Sequence, residues 1–472
     1  MPRKSAAARR SFWPPRPAIV LFGLLALVAL AGGGSRPDVL SLLFLRPLTV
    51  LLAGWALIGL DRGAIAGFRD WAVVLAMAAG LLTVQLLPLP AALWQALPGR
   101  ELIVAIDQAT GRSDLWRPLS LDPQMTRNAL WALATPVAAF ALAVRLESAD
   151  HRRLLAAILL VGLVSGLLGV LQFASGAGGP FYLYRISNFG SAVGLFANRN
   201  HAGVFLACLF PLLAAFVLAQ RDDGKRGLRA IGAAAMAAML VPMILTTGSR
   251  AGLLIGALGL IGAALIVWPH RRGFARRRRS KVPPKGWLAA LAAIGFLAFC
   301  AVFIGLAQGN SLDRLIGGDG ALPEYRWSFW RVTAEAAVRF FPFGSGFGSF
   351  VRVFQVFEPD SLIKPTYANH AHNDFVEILL EGSVAGIALL AAALVLLARD
   401  GWRVWRAPPS STELILARGA ALALAQLVIA SAFDYPLRTP LLAVVAPILV
   451  VWLRRGANAA RSAQRMRATR EA

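Results

Sequence analysis

Apolar runs of about twenty residues recur along almost the whole of this 472-residue chain. A run of that length crosses the hydrocarbon of a bilayer as a helix. In hydrocarbon every backbone polar group must be satisfied internally, which leaves helices and closed barrels as the spanning structures. A barrel strand alternates apolar and polar residues over about ten positions. These runs do not alternate, so the fold class is an all-α, polytopic integral membrane protein. Composition agrees: 15% of the residues are charged, against roughly 25% in a soluble chain.

Spans are expected near 18–34, 39–60, 70–93, 127–144, 154–173, 202–220, 230–247, 251–267, 287–307, 377–398, 420–433 and 440–453. That is about 12 transmembrane helices, an even number, so both termini are expected on one side. The segments 1–17, 61–69, 145–153, 221–229, 268–286, 399–419 and 454–472 then share that side. They hold 32 of the 48 Lys and Arg, including the cluster Arg276 to Arg279. Such a bias marks cytoplasmic loops. It also accounts for the net charge of +24 without nucleic acid, because the basic residues lie between spans and not on a soluble domain. The run Ala18–Ala31 before Gly32-Gly33-Gly34-Ser35 resembles a signal peptide. An uncleaved first span is preferred, since eleven more follow. Cys208 and Cys300 fall inside spans, so neither a disulfide framework nor a zinc site is indicated.

Three units are expected: residues 1–193 with spans 1–5, a core at 194–398 with spans 6–10, and 399–472 with spans 11–12 and a basic cytoplasmic tail. The longest outer loop, 308–376, is expected to be structured. Pro323 suits a first helical position. Trp327, Trp330, Ala334, Ala337, Val338 and Phe341 form one stripe, and Arg331, Glu335 and Arg339 another. That pattern is an amphipathic helix whose tryptophans suit a membrane interface. Pro342 ends it, and the Gly-rich turn Phe343–Phe350 follows. No Gly-Lys-Ser/Thr or βαβ context makes that turn a phosphate-binding loop.

The stretch from His370 to Gly382 concentrates the chemistry at the entrance of a span: two of the chain's 5 histidines, an amide and three carboxylates. Ionisable residues at such a place suggest function. His372 is a candidate general base, with Asn373 as its orienting neighbour. Glu377 and Glu381 lie four apart, on one helix face, and are candidates to orient His372 or to pair with arginines. His370, His372 and Asp374 could instead ligate a metal, but their spacing is not that of a helical zinc site and no further ligand set is evident. Arg250 in Thr247-Gly248-Ser249-Arg250 stands where a helix begins, so backbone N–H groups and guanidinium would converge on an anion. Arg199, flanked by Asn198 and Asn200, and Arg326 are further candidates. His201 is read as bland. No nucleotide-binding fingerprint and no acidic metal-binding pair occur in the outer loops. These residues suit a donor already in the membrane, with cations for a leaving diphosphate and a base for an attacking hydroxyl.

Leu119-Ser120-Leu121-Asp122-Pro123 with Thr126, Gly194 to His201, Thr247 to Arg250, Arg326 with Trp330, Pro342 to Gly348, and His372-Asn373 with Glu377, Glu381 and Gly382 occur in this order. In that order the chain resembles the O-antigen ligase and polymerase superfamily of bacterial envelope glycan enzymes. The resemblance covers about Leu119 to Gly382. It implies a GT-C-like membrane fold and a metal-independent, inverting glycosyltransferase with no cofactor. The implied donor is an undecaprenyl-diphosphate-linked glycan at the periplasmic face of the bacterial inner membrane. The family's loop histidine maps onto His372 and its diphosphate-binding arginines onto Arg250, Arg326 and Arg199. Many relatives carry a proline where Arg199 stands.

The implied acceptor is lipid A–core for a ligase, or another lipid-linked repeat for a polymerase, and a chain-length regulator is a possible partner. A transporter or flippase would instead place its ionisable residues at mid-membrane.

Overall fold

The computed structural model describes residues 16–219, 226–270, 321–363, 367–409 and 411–471. It is helical nearly throughout. In chain order the first helices are α1 (Pro17–Ala31), α2 (Leu42–Ile58), α3 (Arg62–Ala66), α4 (Arg69–Leu86), α5 (Ala91–Gln95) and α6 (Glu101–Ala109). Next come α7 (Pro123–Ala132), α8 (Ala134–Val144), α9 (Ser148–Ser175), α10 (Arg199–Ala219), α11 (Arg226–Thr246) and α12 (Arg250–Val267). The last are α13 (Ala321–Arg339), α14 (Phe350–Phe357), α15 (Asp374–Arg406), α16 (Thr412–Ser431) and α17 (Pro440–Glu471). A two-stranded antiparallel pair, β1 (Pro88–Leu89) and β2 (Arg117–Pro118), closes the loop after α4.

Among the described residues nine helices are long and apolar enough to cross a membrane, and α1 and α2 are shorter apolar helices. These eleven correspond to the expected spans other than 287–307. That span, the Arg276–Arg279 cluster and residues 1–15 lie outside the described residues. The third span ends at Leu86 and not near 93, because Pro88 and Pro90 have no N–H to continue a helix and the chain turns into β1. The last two helices, expected to be short, extend over 20 and 32 residues.

The core is built around α10, whose side chains are almost all buried. It meets α12 closely where Gly203 faces Gly252: a Cβ on either would stand about 3 Å from the other's Cα. Small residues let helix backbones approach where lipid supplies no hydrophobic drive. α1 packs into the same core through Leu21, Leu24, Leu25 and Val28. The glycines after it are built into the fold. The Gly33 N–H donates to the Tyr184 hydroxyl at 2.6 Å, and the Gly32 carbonyl accepts from the Leu441 N–H at 2.9 Å.

Polar groups gather at the two ends of the bundle. Among the described residues six carboxylates are buried: Asp107, Asp122, Glu377, Glu381 and Asp434 at one end, and Asp400 at the other. Asp400 accepts from Arg454 at 2.9 Å and from Arg399 at 3.2 Å, and Arg399 and Arg454 also reach Asp70. This network joins α4, α15 and α17. The loops expected to be outer meet one another at the opposite end.

Of the stripe read from the sequence as suited to a membrane interface, Ala337 and Trp330 pack against the protein and the rest does not. Phe329, Val332, Thr333, Ala336 and Phe340 are buried, while Trp327, Val338 and Phe341 are exposed. The helix carries two apolar strips, and the one with Phe329 and Phe340 meets the rings of Phe354 and Phe357 on α14.

Candidate functional site

The site is built from two knots of loop, joined by the first turns of α15. The first knot is the Gly-rich turn. Gly344, Gly346 and Gly348 all have φ between +82° and +98°, backbone that side chains rarely adopt. A Cβ on Gly346 would also meet Ser120 at about 2.5 Å. The turn is latched by Glu381, whose Oε1 accepts the N–H groups of Gly348 at 2.9 Å and Phe350 at 3.0 Å. The Glu381 carbonyl accepts from Gly346 and from Gln85. The Leu121 N–H donates to Ser345, and Thr126 donates to the Phe347 carbonyl at 2.6 Å. The separate stretches Leu119–Thr126, Pro342–Gly348 and Glu381-Gly382 are thus one packed unit.

The second knot centres on Asp434, in the short loop between α16 and α17. Its carboxylate is buried and held from several sides. His372 Nδ1 lies 3.1 Å from Oδ1, and His201 Nε2 lies 3.7 Å from the same oxygen. Asn200 donates to Oδ2 at 2.7 Å, and Asn198 reaches it at 3.5 Å. Burial alone would push the Asp434 carboxyl up, but the His201 and His372 imidazoles beside it hold it well below the usual carboxylate range. An ionised carboxylate only accepts, so His372 must donate from Nδ1. In the neutral imidazole the lone pair is then on Nε2. The His372 side chain is 30% exposed and that of His201 1%, so of the two only His372 is open to a substrate. His372 also has φ of +52°, a conformation costing a non-glycine residue about 1–2 kcal/mol. Such strain clusters at functional sites.

Tyr435 forms the floor of this knot. His370, His201 and His372 surround its ring at centroid distances of 4.2, 5.0 and 5.2 Å. Its hydroxyl accepts from Asn369. Burial pushes the Tyr435 phenol above its ordinary range.

Two expectations are corrected by these contacts. Glu377 and Glu381 do not orient His372: Glu377 accepts from His370 at 2.8 Å and pairs with Arg438 at 2.9 Å, and Glu381 holds the Gly-rich turn. The short His370–Glu377 spacing gives His370 the better-placed partner, and Asp434 takes His372. The metal trio, an alternative that the sequence did not favour, takes three separate partners: Glu377 for His370, Asp434 for His372 and Arg438 for Asp374. Among the described residues no group of three or more His, Cys, Asp and Glu is arranged to hold a metal. His201, read as bland, is a buried neighbour of Asp434 and Tyr435.

The remaining candidates fall as follows. Asn373 caps α15, its Oδ1 accepting from Phe375 and Val376, and so fixes the backbone next to His372. Asn200 links the histidine to the arginine turn: Ser249 donates to Asn200 Oδ1 at 2.8 Å and caps α12 at Gly252. Arg250 follows directly and is exposed. The Arg199 guanidinium lies against the same turn, 3.5 Å from where a Cβ on Gly248 would stand. Arg326 lies near the start of α13, half-buried. Among the described residues no hydrogen bond or ion pair joins it to Asp434 or to Arg250. Asp434, Tyr435 and Arg438 escaped the sequence reading. The available signal was that Asp434 is the one acid in the loop between the last two spans.

Fold and site together define an all-helical membrane protein with a histidine–carboxylate site assembled from loops at one end of its bundle. Residues 234–391 match the family model described as O-antigen ligase. That match supports a relation to the O-antigen ligase and polymerase superfamily over this third of the chain. The match includes Arg250, Arg326, the Gly-rich turn and His372, and stops before Asp434. No curated protein matches the chain.

Proposed function

We propose that this chain is a metal-independent, inverting glycosyltransferase acting at the periplasmic face of the bacterial inner membrane. It moves a glycan from an undecaprenyl-diphosphate-linked donor to a hydroxyl of lipid A–core. The observation that carries this reading is the part-exposed His372 paired with buried Asp434, which Asn200 links to the Ser249–Arg250 turn. His372 Nε2 takes the proton of the acceptor hydroxyl as its oxygen attacks the anomeric carbon. The bond from that carbon to the diphosphate breaks, and undecaprenyl diphosphate leaves with the electron pair. Asp434 stabilises the imidazolium that forms. Arg250, Arg199 and Arg326 offset the charge of the leaving group.

In a strain deleted for this chain, His372→Ala is expected to insert normally and to restore no transfer. Restoration of transfer by that variant overturns the assignment of the base. Gel fractionation of surface and carrier-linked glycans from the deletion strain separates the two acceptors. Long chains stranded on the carrier mean a lost ligase. Single repeats alone mean a polymerase, the second reading.

A further inference from the structure

On the half of the bundle away from the site, an apolar groove of about 320 Å³ runs between α15 and α16. Leu394, Gly401 and Trp405 line one side, Leu422 and Ala425 the other, and Leu453 of α17 completes it. A Cβ added at Gly401 would meet nothing within 4 Å. All three helices are long and apolar enough to cross a membrane, and the lining residues fall within those stretches. The groove ends at an arginine. Arg418 precedes Leu422 and Ala425 on the same face of α16. Its guanidinium lies 5.0 Å over the ring of Trp405. Arg418 is 5% exposed, one Nη donates to the Ala407 carbonyl, and Nε has no hydrogen-bond partner among the described residues.

A buried cation at the mouth of an apolar groove suits an anion that carries a hydrocarbon tail. The acids nearest in the fold are already engaged: Asp400 by Arg454 and Arg399, and Glu413 by Ser148. Arg406, stacked on the exposed Trp402, adds a second cation at the same end. Tryptophan and arginine together mark the level of the lipid headgroups. The shape of the groove narrows the choice of tail. It follows α15 for about three turns, while a helix about 10 Å across would fill more than its volume in a single turn. It therefore fits one hydrocarbon chain and not a helix along its length. Basic pockets between spanning helices bind anionic lipid headgroups. We propose that this groove seats one acyl chain of an anionic phospholipid, with the lipid phosphate at Arg418.

The test of the tail uses the wild-type chain in nanodiscs of phosphatidylethanolamine and phosphatidylglycerol. A phosphatidylglycerol with a photoactivatable diazirine in its acyl chain is included, and labelled peptides are mapped by mass spectrometry. Label is expected around Gly401 and Ala425. Gly401→Leu, which fills the groove where there is space for it, is expected to lower that label several-fold. Label at the exposed Leu254 and Leu260 of α12 is expected to stay unchanged. A groove without label beside a labelled α12 overturns the proposal, since protein, such as the expected span 287–307, then occupies it. Native mass spectrometry of the released chain reads the headgroup. Phosphatidylglycerol is expected to be retained several-fold more than phosphatidylcholine supplied in equal amount, and Arg418→Gln to lose that preference. Equal retention in the wild type overturns the proposal, and so does a preference kept by Arg418→Gln. Neither readout needs glycan transfer, so the proposal stands or fails apart from the proposed activity.

Discussion

At the scale of single residues the site turns on which acid meets which histidine. Asp434 touches both His372 and Asn200, so it connects the base to the arginine turn. In Asp434→Asn the amide would offer a donor or a weaker acceptor to His372 Nδ1, and would no longer hold the proton there. The lone pair would then move off Nε2. The transfer rate of purified Asp434→Asn is expected to fall by about 10²–10⁴-fold, the range of general acid–base catalysis, with donor KM little changed. A variant that keeps the wild-type rate would remove Asp434 from the positioning of the base. His372 was legible because histidine is scarce here and this one stands at a span entrance. Asp434 was not, because 62 residues and two helices separate it from His372, and only packing brings them together.

At the scale of elements the latch between α15 and the Gly-rich turn carries the next prediction. Glu381→Ala leaves the buried N–H groups of Gly348 and Phe350 without an acceptor, at a cost of about 1–3 kcal/mol each. Glu381→Gln keeps an oxygen in place. The alanine variant is therefore expected to melt well below the wild type in detergent, and the glutamine variant close to it. Equal melting of the two would show that Glu381 does not hold the turn through these bonds. The sequence marked the turn by its glycines and α15 by Asn373 and the acids after it. It did not show that Glu381 reaches back to the turn, because a period of four places two glutamates on one face without saying what that face meets. α13 teaches the same point. Its periodicity showed a helix, but two apolar strips were available, and the match to α14 decided which was buried.

At the scale of the whole molecule the end opposite the site is held by Asp400. Its carboxylate has no exposure and faces Arg454, Arg399 and Arg403. Removing one partner of such a buried network leaves an uncompensated charge, at about 3–5 kcal/mol. Asp400→Ala is expected to destabilise the protein by that order in thermal unfolding. Asp70→Ala, at a partner 38% exposed, is expected to cost only about 0–1 kcal/mol. Similar losses in the two variants would contradict the placement of the buried charge at Asp400.

The sequence by itself determined the helical membrane class, most helix positions, the division of polar groups between two ends, and the candidacy of His372 and the arginines. Those follow from hydropathy, charge and residue type, which act over a few turns of helix. Only the tertiary structure decided that Asp434 serves His372, that Glu377 serves His370, and that α13 buries the strip with Phe329 and Phe340. Each is a choice between partners of nearly equal local merit, and it is settled by close packing across helices far apart in the chain.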